Sequence, residues 1–254
     1  MLSPDMPKPL YEQLREILRD DIINGKYSEG GKMPSEDKLR EIYGVSRITV
    51  RRAIQDLCND GMLQRQHGKG TFVLTKKHKD RMDIIHGFTD YMEEHGREIG
   101  RIILEKNYTF PSERVAESLN IGIEDSVIYL KRLMLDQGFP FMLDECWYPA
   151  TRYPNLFDEI KEDSSTYHIL SQKYKVKLSK SYKEINAILS TEEISSYLAC
   201  SVGDPIFSIY KVVYDTKNTP VQVSKMSVLG NRVTYTMTTS ETESVMSKNI
   251  IEDI

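Results

Sequence analysis

Residues 46–57 read Ser46-Arg47-Ile48-Thr49-Val50-Arg51-Arg52-Ala53-Ile54-Gln55-Asp56-Leu57, and the apolar and charged side chains of this segment recur with the period of a helix. The apolar stripe has the spacing i, i+4, i+7, i+8 and consists of Val50, Ile54, Leu57 and Cys58. Ser46 is a favourable N-cap, and Gly61 stands where a glycine commonly ends a helix. We therefore predict an amphipathic helix that buries one face and presents cations on another.

The polar face of this helix suits the major groove of DNA. Arg47 and Arg51 lie one turn apart near the N-terminus, the part of a recognition helix that meets base edges. Arginine can donate two hydrogen bonds to guanine, and a threonine methyl group, here that of Thr49, can contact thymine. The segment taken alone is equally consistent with an ordinary surface helix whose charges face water, so the flanking residues have to decide.

The flanking residues predict a helix-turn-helix followed by a hairpin. A first helix is expected from about 10 to 24, and a second helix opens at Ser35, whose hydroxyl can cap it. Beyond the opening helix the pattern changes to strands at 62–66 and 71–75, joined by the glycine-rich tip His67-Gly68-Lys69-Gly70. We call this hairpin the wing, and its cationic tip favours contact with DNA.

Charge is distributed unevenly along the 254 residues, whose formal net charge is −4. Residues 1–80 carry a net charge of +3, whereas residues 81–254 carry −7. Within 46–79 the net charge reaches +6, and it is the local field that attracts phosphates. The sequence therefore indicates a basic module joined to an acidic one.

Several other classes of protein are disfavoured. No apolar run is long enough to span a bilayer and no signal peptide is evident, so we expect a cytoplasmic protein without a membrane partner. The three cysteines are widely spaced and suit neither a disulfide framework nor a CxxC pair, and the five histidines lack metal-site spacing. We expect no metal and no cofactor.

The C-terminal part predicts an antiparallel α+β domain, because hairpins alternate with inserted helices. Predicted strands lie at about 102–110, 127–135, 141–148, 177–189, 206–215, 221–228 and 233–238, and predicted helices at about 85–96, 112–119, 165–174 and 191–198. We expect a DNA-binding domain at 1–75, a linker at 76–83, this second domain at 84–239 and a polar tail at 240–254. The charged linker is as consistent with a solvated coil as with a segment that contacts phosphates.

Ordered motifs within residues 9–74 resemble the winged helix-turn-helix of the GntR family of bacterial repressors. The likeness is carried by Pro9-Leu10-Tyr11, Gln13, Met33-Pro34-Ser35-Glu36, Tyr43-Gly44-Val45-Ser46-Arg47, Thr49-Val50-Arg51, Ala53, Leu57, Asp60-Gly61 and His67-Gly68-Lys69-Gly70-Thr71-Phe72-Val73. The resemblance implies DNA contacts from Ser46, Arg47, Thr49, Arg51, His67, Gly68 and Lys69, and we add the neighbouring cation Arg52. Asp37 stands where some relatives have arginine, and an acid cannot contact phosphate.

The C-terminal part resembles the UTRA ligand-sensing domain of the HutC subfamily. The likeness is carried by Phe88-Thr89, Ala116-Glu117, Leu119, Leu130, Arg132-Leu133, Gly138, Pro140, Tyr148-Pro149, Glu184, Ala187, Gly203-Asp204-Pro205, Tyr214-Asp215, Pro220-Val221, Gly230 and Arg232. The resemblance implies a chorismate lyase-like fold that binds a small effector.

The same resemblance implies where an effector binds. Arg132 and Asp144 match an arginine and an acid of the family's effector pocket, and Ser164-Ser165-Thr166-Tyr167 match a helix start that binds phosphate in sensors of phosphosugars. Without the resemblance, that helix start is consistent either with a site that binds an anion or with simple N-capping. Arg132 and Asp144 are likewise consistent either with an effector-binding site or with a cross-strand ion pair. Gln222 completes the predicted effector site.

Three positions depart from relatives that bind amino sugar phosphates. Met134 stands where those relatives often have a second arginine, and Gln222 stands where they have glutamate. They also have an aromatic residue near the position of Val228. Because the amide of Gln222 cannot pair with an ammonium group as a carboxylate can, we expect a neutral or differently decorated phosphorylated sugar.

Together these features predict a homodimeric transcription repressor that binds a palindromic operator and releases it when a small molecule binds. An activator or dual regulator is an alternative, because the outcome depends on where the operator lies. An enzyme that uses the chorismate lyase-like domain is an alternative from another class. We find no nucleophile elbow, metal set or His–carboxylate pairing, so no catalytic residue is assigned.

Overall fold

The computed structural model describes residues 2–3, 7–66, 68–74, 78–81, 85, 99–136 and 138–238. The chain divides into two compact units. The first comprises Met1–His78, Leu189–Pro205 and Leu229–Arg232, and the second comprises Lys79–Ile188, Ile206–Val228 and Val233–Ile254. The domain boundaries expected near 75, 84 and 239 stay predictions, because they fall on residues outside the described ranges. Residues 86–96 of the helix expected at 85–96 and the polar tail also lie outside the described residues.

Three helices and a hairpin form the N-terminal part: α1 Leu10–Ile23, α2 Glu36–Tyr43, α3 Arg47–Asn59, β1 Leu63–Gln66 and β2 Gly70–Val73. Ser35 caps α2 and Ser46 caps α3, each through a side-chain oxygen that accepts from a backbone N–H three residues on. Gly44 adopts a left-handed φ of 63° in the turn between α2 and α3. The predicted helix-turn-helix and wing are confirmed.

One apolar core joins these elements. It contains Leu14, Leu18, Met33, Leu39, Val45, Val50, Ala53, Ile54, Leu57, Leu63 and Val73. The predicted stripe of α3 lies in this core, with Cys58 half-buried at its edge. The loop before α2 also pairs with the wing, where the Met33 N–H donates to the Thr71 carbonyl at 2.8 Å. The wing and α3 are therefore fixed to the same body.

A six-stranded sheet organises the C-terminal part, with the strand order β4-β5-β6-β9-β8-β7. Its strands are β4 Ile99–Thr109, β5 Val127–Asp136, β6 Phe139–Pro149, β7 Leu178–Leu189, β8 Pro205–Asp215 and β9 Pro220–Leu229. Antiparallel pairing places Arg132 opposite Asp144 and Asp144 opposite Met226, so these three side chains share one face of the sheet. The predicted α+β class with an antiparallel sheet is confirmed.

Helices cover both faces of this sheet. They are α4 Glu113–Leu119, α5 Leu156–Glu159 and α6 Thr166–Tyr174, and the chain also forms α7 Glu192–Leu198, which belongs to the first compact unit. Val115 and Leu119 of α4 pack with Val127 on one face, whereas α5 and α6 pack with Ile128 and Leu130 on the other. Of the two serines that were candidates to cap α6, Ser165 does so by accepting from the His168 N–H at 3.3 Å. The four-residue α5 was not predicted.

One strand lies inside the predicted linker. Residues His78–Arg81 form β3, which pairs with β10, Val233–Thr236. The sequence left open whether the linker is a solvated coil or a segment that contacts phosphates, and a strand at these four residues was not predicted. Their charged composition lacks the apolar alternation of a half-buried strand, and backbone groups make the pairing.

Candidate DNA-binding face and sheet pocket

The cations predicted to contact DNA lie on the exposed side of α3. The side chain of Arg47 is 68% exposed, and Arg51 is also exposed. No described residue pairs with the guanidinium group of Arg51. The helix buries Val50 and Ile54 in the core, which directs Arg47 and Arg51 towards solvent. Two cations one turn apart are thus open to a partner outside the chain.

Ser46 and Thr49 form the local structure that begins α3. The Ser46 oxygen accepts from the Thr49 N–H at 3.2 Å, and the two hydroxyl oxygens lie 2.8 Å apart. Their hydrogen bonds fix the first turn, whose N–H groups also favour a nearby anion. These hydroxyls therefore position the first turn of α3 beside Arg47.

An acidic residue links α2, α3 and the wing. The Glu36 carboxylate lies 2.9 Å from Nη2 of Arg65 in β1 and 4.0 Å from Nε of Arg47. The Arg65 guanidinium also donates to the Gln55 side chain at 3.2 Å and to the Arg51 carbonyl at 3.4 Å. Sequence reasoning missed Arg65 as a structural residue. In the sequence, Arg65 is only a cation inside a predicted hairpin strand. Its contacts with α2 and α3 become evident only when the strand is placed beside α3.

Arg52 is directed elsewhere than Arg51. Its guanidinium carbon lies 3.6 Å from the ring centroid of Tyr11 in α1, and its Nη2 donates to the Tyr11 hydroxyl at 2.9 Å. A guanidinium over an aromatic face is held by the ring quadrupole. The structure therefore does not bring Arg52 together with Arg47 and Arg51.

The wing tip is exposed and depends on glycine. Gly68 and Lys69 are exposed, and Gly68 has a φ of 71°. Gly70 has a φ of 121°, and a Cβ atom there would lie 2.7 Å from Cε of Lys32. His67, the remaining predicted contact of the wing, lies outside the described residues. The exposed α3 cations and this tip together form what we call the DNA-binding face (Arg47, Arg51, Gly68 and Lys69).

The predicted effector residues meet at one cavity, which we call the sheet pocket. Its lining is Arg101, Arg132, Met134, Met142, Asp144, Cys146, Tyr148, Ser165, Thr166, Tyr167, Lys211, Gln222, Ser224 and Met226. The cavity itself measures about 30 Å³, and the empty space within its walls, open mouth included, is about 430 Å³. Small-molecule sites typically measure a few hundred Å³. The inner part of the sheet pocket is therefore smaller than a typical small-molecule site.

Arg132 and Asp144 form a buried ion pair at one end of the sheet pocket. Nη2 of Arg132 lies 3.0 Å from Oδ2 of Asp144, and each side chain is 7% exposed. Nη1 donates to the Thr166 hydroxyl at 3.3 Å and to the Ser164 carbonyl at 3.5 Å. Burial opposes the charge of Arg132 most strongly, but the Asp144 carboxylate together with Tyr148 and Cys146 raises the pKa of the guanidinium overall. Burying such a pair brings little net stability, which favours a role in binding.

A thiol supports the acid of this pair. The Cys146 Sγ lies 3.4 Å from both carboxylate oxygens of Asp144 and donates to them. Burial, reinforced by the Asp144 charge, raises the pKa of the Cys146 thiol. Burial likewise raises the pKa of the Tyr148 hydroxyl beside it. Both groups therefore stay protonated and neutral at physiological pH.

A lysine that the sequence analysis missed lies at the other end of the sheet pocket. Lys211 in β8 is 4% exposed, and its Nζ lies 5.3 Å from the ring centroid of Tyr167. The Tyr167 hydroxyl accepts from Nε2 of Gln222 at 2.9 Å. Burial opposes the Lys211 charge, but Tyr167 and, more weakly, Asp144 raise the pKa of the ammonium group overall. The signal in the sequence was a lysine within an apolar strand.

Several buried polar atoms of the sheet pocket lack a partner among the described residues. They are Nε of Arg132, Oε1 of Gln222 and Oγ of Ser224. Buried polar atoms are nearly always hydrogen-bonded, so such atoms call for water or a ligand. Elsewhere, the described part of the chain contains no group of three His, Cys, Asp or Glu side chains suited to a metal ion. In the same residues, no helix is both long and apolar enough to cross a bilayer.

Two family models match the chain at these regions. The model described as bacterial regulatory proteins, gntR family, matches residues 10–73, and the UTRA domain model matches residues 94–234. The chain belongs to the GntR family. With its UTRA domain it is a transcriptional regulator of the HutC type, as the resemblance implied.

Curated relatives of this GntR regulator are also named as transcriptional regulators or repressors. It is 37% identical to the transcriptional regulator YurK of Bacillus subtilis, over 93% of this chain and 98% of that protein. It is also 37% identical to the probable fructoselysine utilization operon transcriptional repressor of Escherichia coli K12, over 90% and 93%. The repressor NagR of Bacillus subtilis is 27% identical, over 92% and 96%.

Solved structures support the fold of the GntR regulator. PhnF from Mycobacterium smegmatis superposes with a TM-score of 0.63 at 24% identity, over 90% of this chain and 99% of that one. The C-terminal domain of YurK superposes with a TM-score of 0.51 at 31% identity, over 54% of this chain and 93% of that one.

Proposed function

We propose that this GntR regulator is a repressor whose DNA-binding face grips an operator and whose sheet pocket binds a small anionic effector that causes release. It would act in the cytoplasm, where bacterial DNA lies. The observation that carries the proposal is that one chain contains two contrasting sets of cations. Arg47 and Arg51 of α3 are exposed, whereas Arg132 and Lys211 of the sheet pocket are buried among polar atoms that lack partners within the described residues.

The DNA contacts are proposed for Ser46, Arg47, Thr49 and Arg51 of α3 and for His67, Gly68 and Lys69 of the wing. The availability of Arg51 supports this set, since no described residue pairs with its guanidinium group. Arginines at the start of such a helix can donate to guanine in the major groove. Arg52 is proposed as a support of α3 because it stacks on Tyr11.

The charge of the sheet pocket supports an anionic effector. Three cations, Arg101, Arg132 and Lys211, line it with a single carboxylate, that of Asp144. The first turn of α6, at Ser165 to Tyr167, adds backbone N–H groups that favour an anion. Names of relatives refer to fructoselysine utilization and to mannosyl-D-glycerate. A phosphorylated sugar or sugar conjugate therefore fits best, held by Arg132, Asp144, Ser164, Ser165, Thr166, Tyr167 and Gln222.

The operator is proposed to be palindromic and the regulator a homodimer. One copy of α3 reads only a short half-site, and a dimer with two-fold symmetry reads two half-sites about one helical turn apart. Electrostatic contacts alone cannot give the specificity that a repressor needs over a genome. Sedimentation of the free chain tests the dimer directly, and a monomer at all concentrations would contradict it.

Selection of bound sequences from random duplex DNA tests the function as a whole. We expect an enriched palindrome of short half-sites that the full chain binds at least a thousandfold more tightly than random DNA. A panel of phosphorylated sugars and fructoselysine conjugates is then added to the complex while fluorescence anisotropy is followed. Release by one member and not by its unphosphorylated form is expected. Enrichment of no sequence, or turnover of a panel member, would overturn the proposal.

A further inference from the structure

Lys211 is a buried cation of the sheet pocket that forms no ion pair with a carboxylate of the described residues. It is 4% exposed in the middle of β8, and no described carboxylate lies within ion-pairing distance of its ammonium group. A buried ammonium group without an acid is costly and is rare in proteins. A cation kept in this state is typical of a site that awaits an anion.

Arg132, unlike Lys211, forms an ion pair with a carboxylate. Its guanidinium is paired with Asp144 at 3.0 Å and also donates to the Thr166 hydroxyl at 3.3 Å. The Arg132–Asp144 pair is therefore electrically neutral as a unit. It can orient an effector through hydrogen bonds, but it adds little to the net positive field of the sheet pocket.

A neutral phenol takes the place of an anion at Lys211. The Tyr167 ring lies 5.3 Å from the lysine Nζ, and the Tyr167 hydroxyl also accepts from Nε2 of Gln222 at 2.9 Å. Tyr167 is half-buried and lies in the first turn of α6, so it can leave the sheet more easily than a residue of a central strand. The Gln222 Oε1 beside it is buried without a partner among the described residues.

We propose that Lys211 binds the anionic group of the effector and that Tyr167 covers Lys211 until the effector arrives. This inference rests on the proposed function, since it assigns residues within the same pocket. The anion exchanges the phenol for a charge-assisted bond from Lys211. Rotation of the Tyr167 ring away from Lys211 widens the narrow inner part of the sheet pocket, and the ring then lies against the bound effector while the first turn of α6 stays in place. The freed amide of Gln222 then bonds to a hydroxyl of the effector.

Calorimetry on the full chain tests this assignment, with inorganic phosphate and glucose 6-phosphate as probes. Lys211→Met removes the charge and keeps an apolar chain of similar length. We expect it to weaken binding of both probes by about tenfold or more, since a bond to a charged group is lost. The matched control is Lys225→Met on β9, which removes an equal charge from a side chain that is 52% exposed and lies outside the sheet pocket. The control should keep wild-type affinity.

A second variant keeps the test valid if Lys211→Met does not fold. Tyr167→Phe retains the ring but removes the hydroxyl that bonds to Gln222. Phosphate then has no phenol hydroxyl to displace, so we expect its affinity to rise about threefold or more. Arg51→Ala serves as a control for phosphate bound at the DNA-binding face, and it should leave the measured affinity unchanged.

The outcomes separate this inference from the proposed function. If wild type binds the probes but Lys211→Met binds them equally well, the assignment of Lys211 is overturned and the anionic effector stands. If Tyr167→Phe binds phosphate no better than wild type, the covering role of Tyr167 is overturned. If wild type binds neither probe while Lys225→Met and Arg51→Ala fold normally, the anionic effector itself is overturned. Loss with Lys211→Met and gain with Tyr167→Phe support both residues.

Discussion

The DNA-binding face and the sheet pocket use the same kinds of cation in opposite surroundings. Arg51 is exposed on α3 and has no partner among the described residues, whereas Arg132 is buried and bonded to Asp144 and Thr166. Water solvates the first guanidinium, so it can await DNA at little cost in stability. Burial of the Arg132 guanidinium is tolerated because the Asp144 carboxylate and the Thr166 hydroxyl pair with it. Removal of each arginine should therefore damage a different property.

The largest expected effect is on stability at the sheet pocket. Arg132→Met strands the buried Asp144 carboxylate, so we expect the free energy of unfolding to fall by about 3–5 kcal/mol. Urea denaturation of the full chain measures it. The exposed counterpart Arg47→Met should stay within about 0.5 kcal/mol of wild type.

A double variant sharpens this comparison. Arg132→Met with Asp144→Leu removes both charges, and we expect it to regain most of the lost stability because no charge is stranded. Equal losses for Arg132→Met and Arg47→Met would show that burial does not distinguish the two regions.

The next effect separates the stability of α3 from its contact with DNA. Ser46→Ala removes the cap that accepts from the Thr49 N–H, so stability should fall by about 1 kcal/mol. Ser46→Asp keeps a capping oxygen at the helix start and should keep the stability, but its carboxylate should repel phosphate and weaken DNA binding. Thermal unfolding and anisotropy report the two properties. A Ser46→Asp variant that binds DNA as well as wild type would place Ser46 away from the duplex.

The smallest expected effect concerns Arg52. Loss of its stacking on Tyr11 in Arg52→Ala should lower the free energy of unfolding by about 0.5–1 kcal/mol. Tyr11→Leu should cause a similar loss, and the double variant should add little further because both changes remove one interaction. Additive losses in this cycle would show that Arg52 and Tyr11 do not interact in solution.

The sequence predicted those parts of the fold that depend on local patterns. Ser46, the apolar stripe of α3 and the glycine-tipped wing follow spacing rules that hold within a few residues. The strands of the sheet were predicted for the same reason. The four-residue α5 is too short to show a period, and β3 has a charged composition and owes its structure to backbone pairing with β10.

The sites were predicted less completely, because tertiary contacts decide them. Arg52 shares the polar side of a helical pattern with Arg51, and only the position of Tyr11 on α1 shows that the two arginines point to different partners. The strand order brings Lys211 and Ser224 to the sheet pocket from parts of the chain far from Arg132. The spacing of Lys211, Ser224 and Arg132 in the sequence does not indicate that these residues lie together in the fold.

The most direct test of the account is the operator affinity of wild type, Arg51→Ala and Arg52→Ala, measured by anisotropy at one fixed salt concentration on a selected operator. Both variants lose one positive charge from adjacent positions of α3. We predict that Arg51→Ala binds roughly 10- to 100-fold more weakly, whereas Arg52→Ala changes affinity by less than about threefold. Equal losses, or a larger loss for Arg52→Ala, would contradict the proposal that the exposed, unpaired cation of α3 is the one that reads DNA.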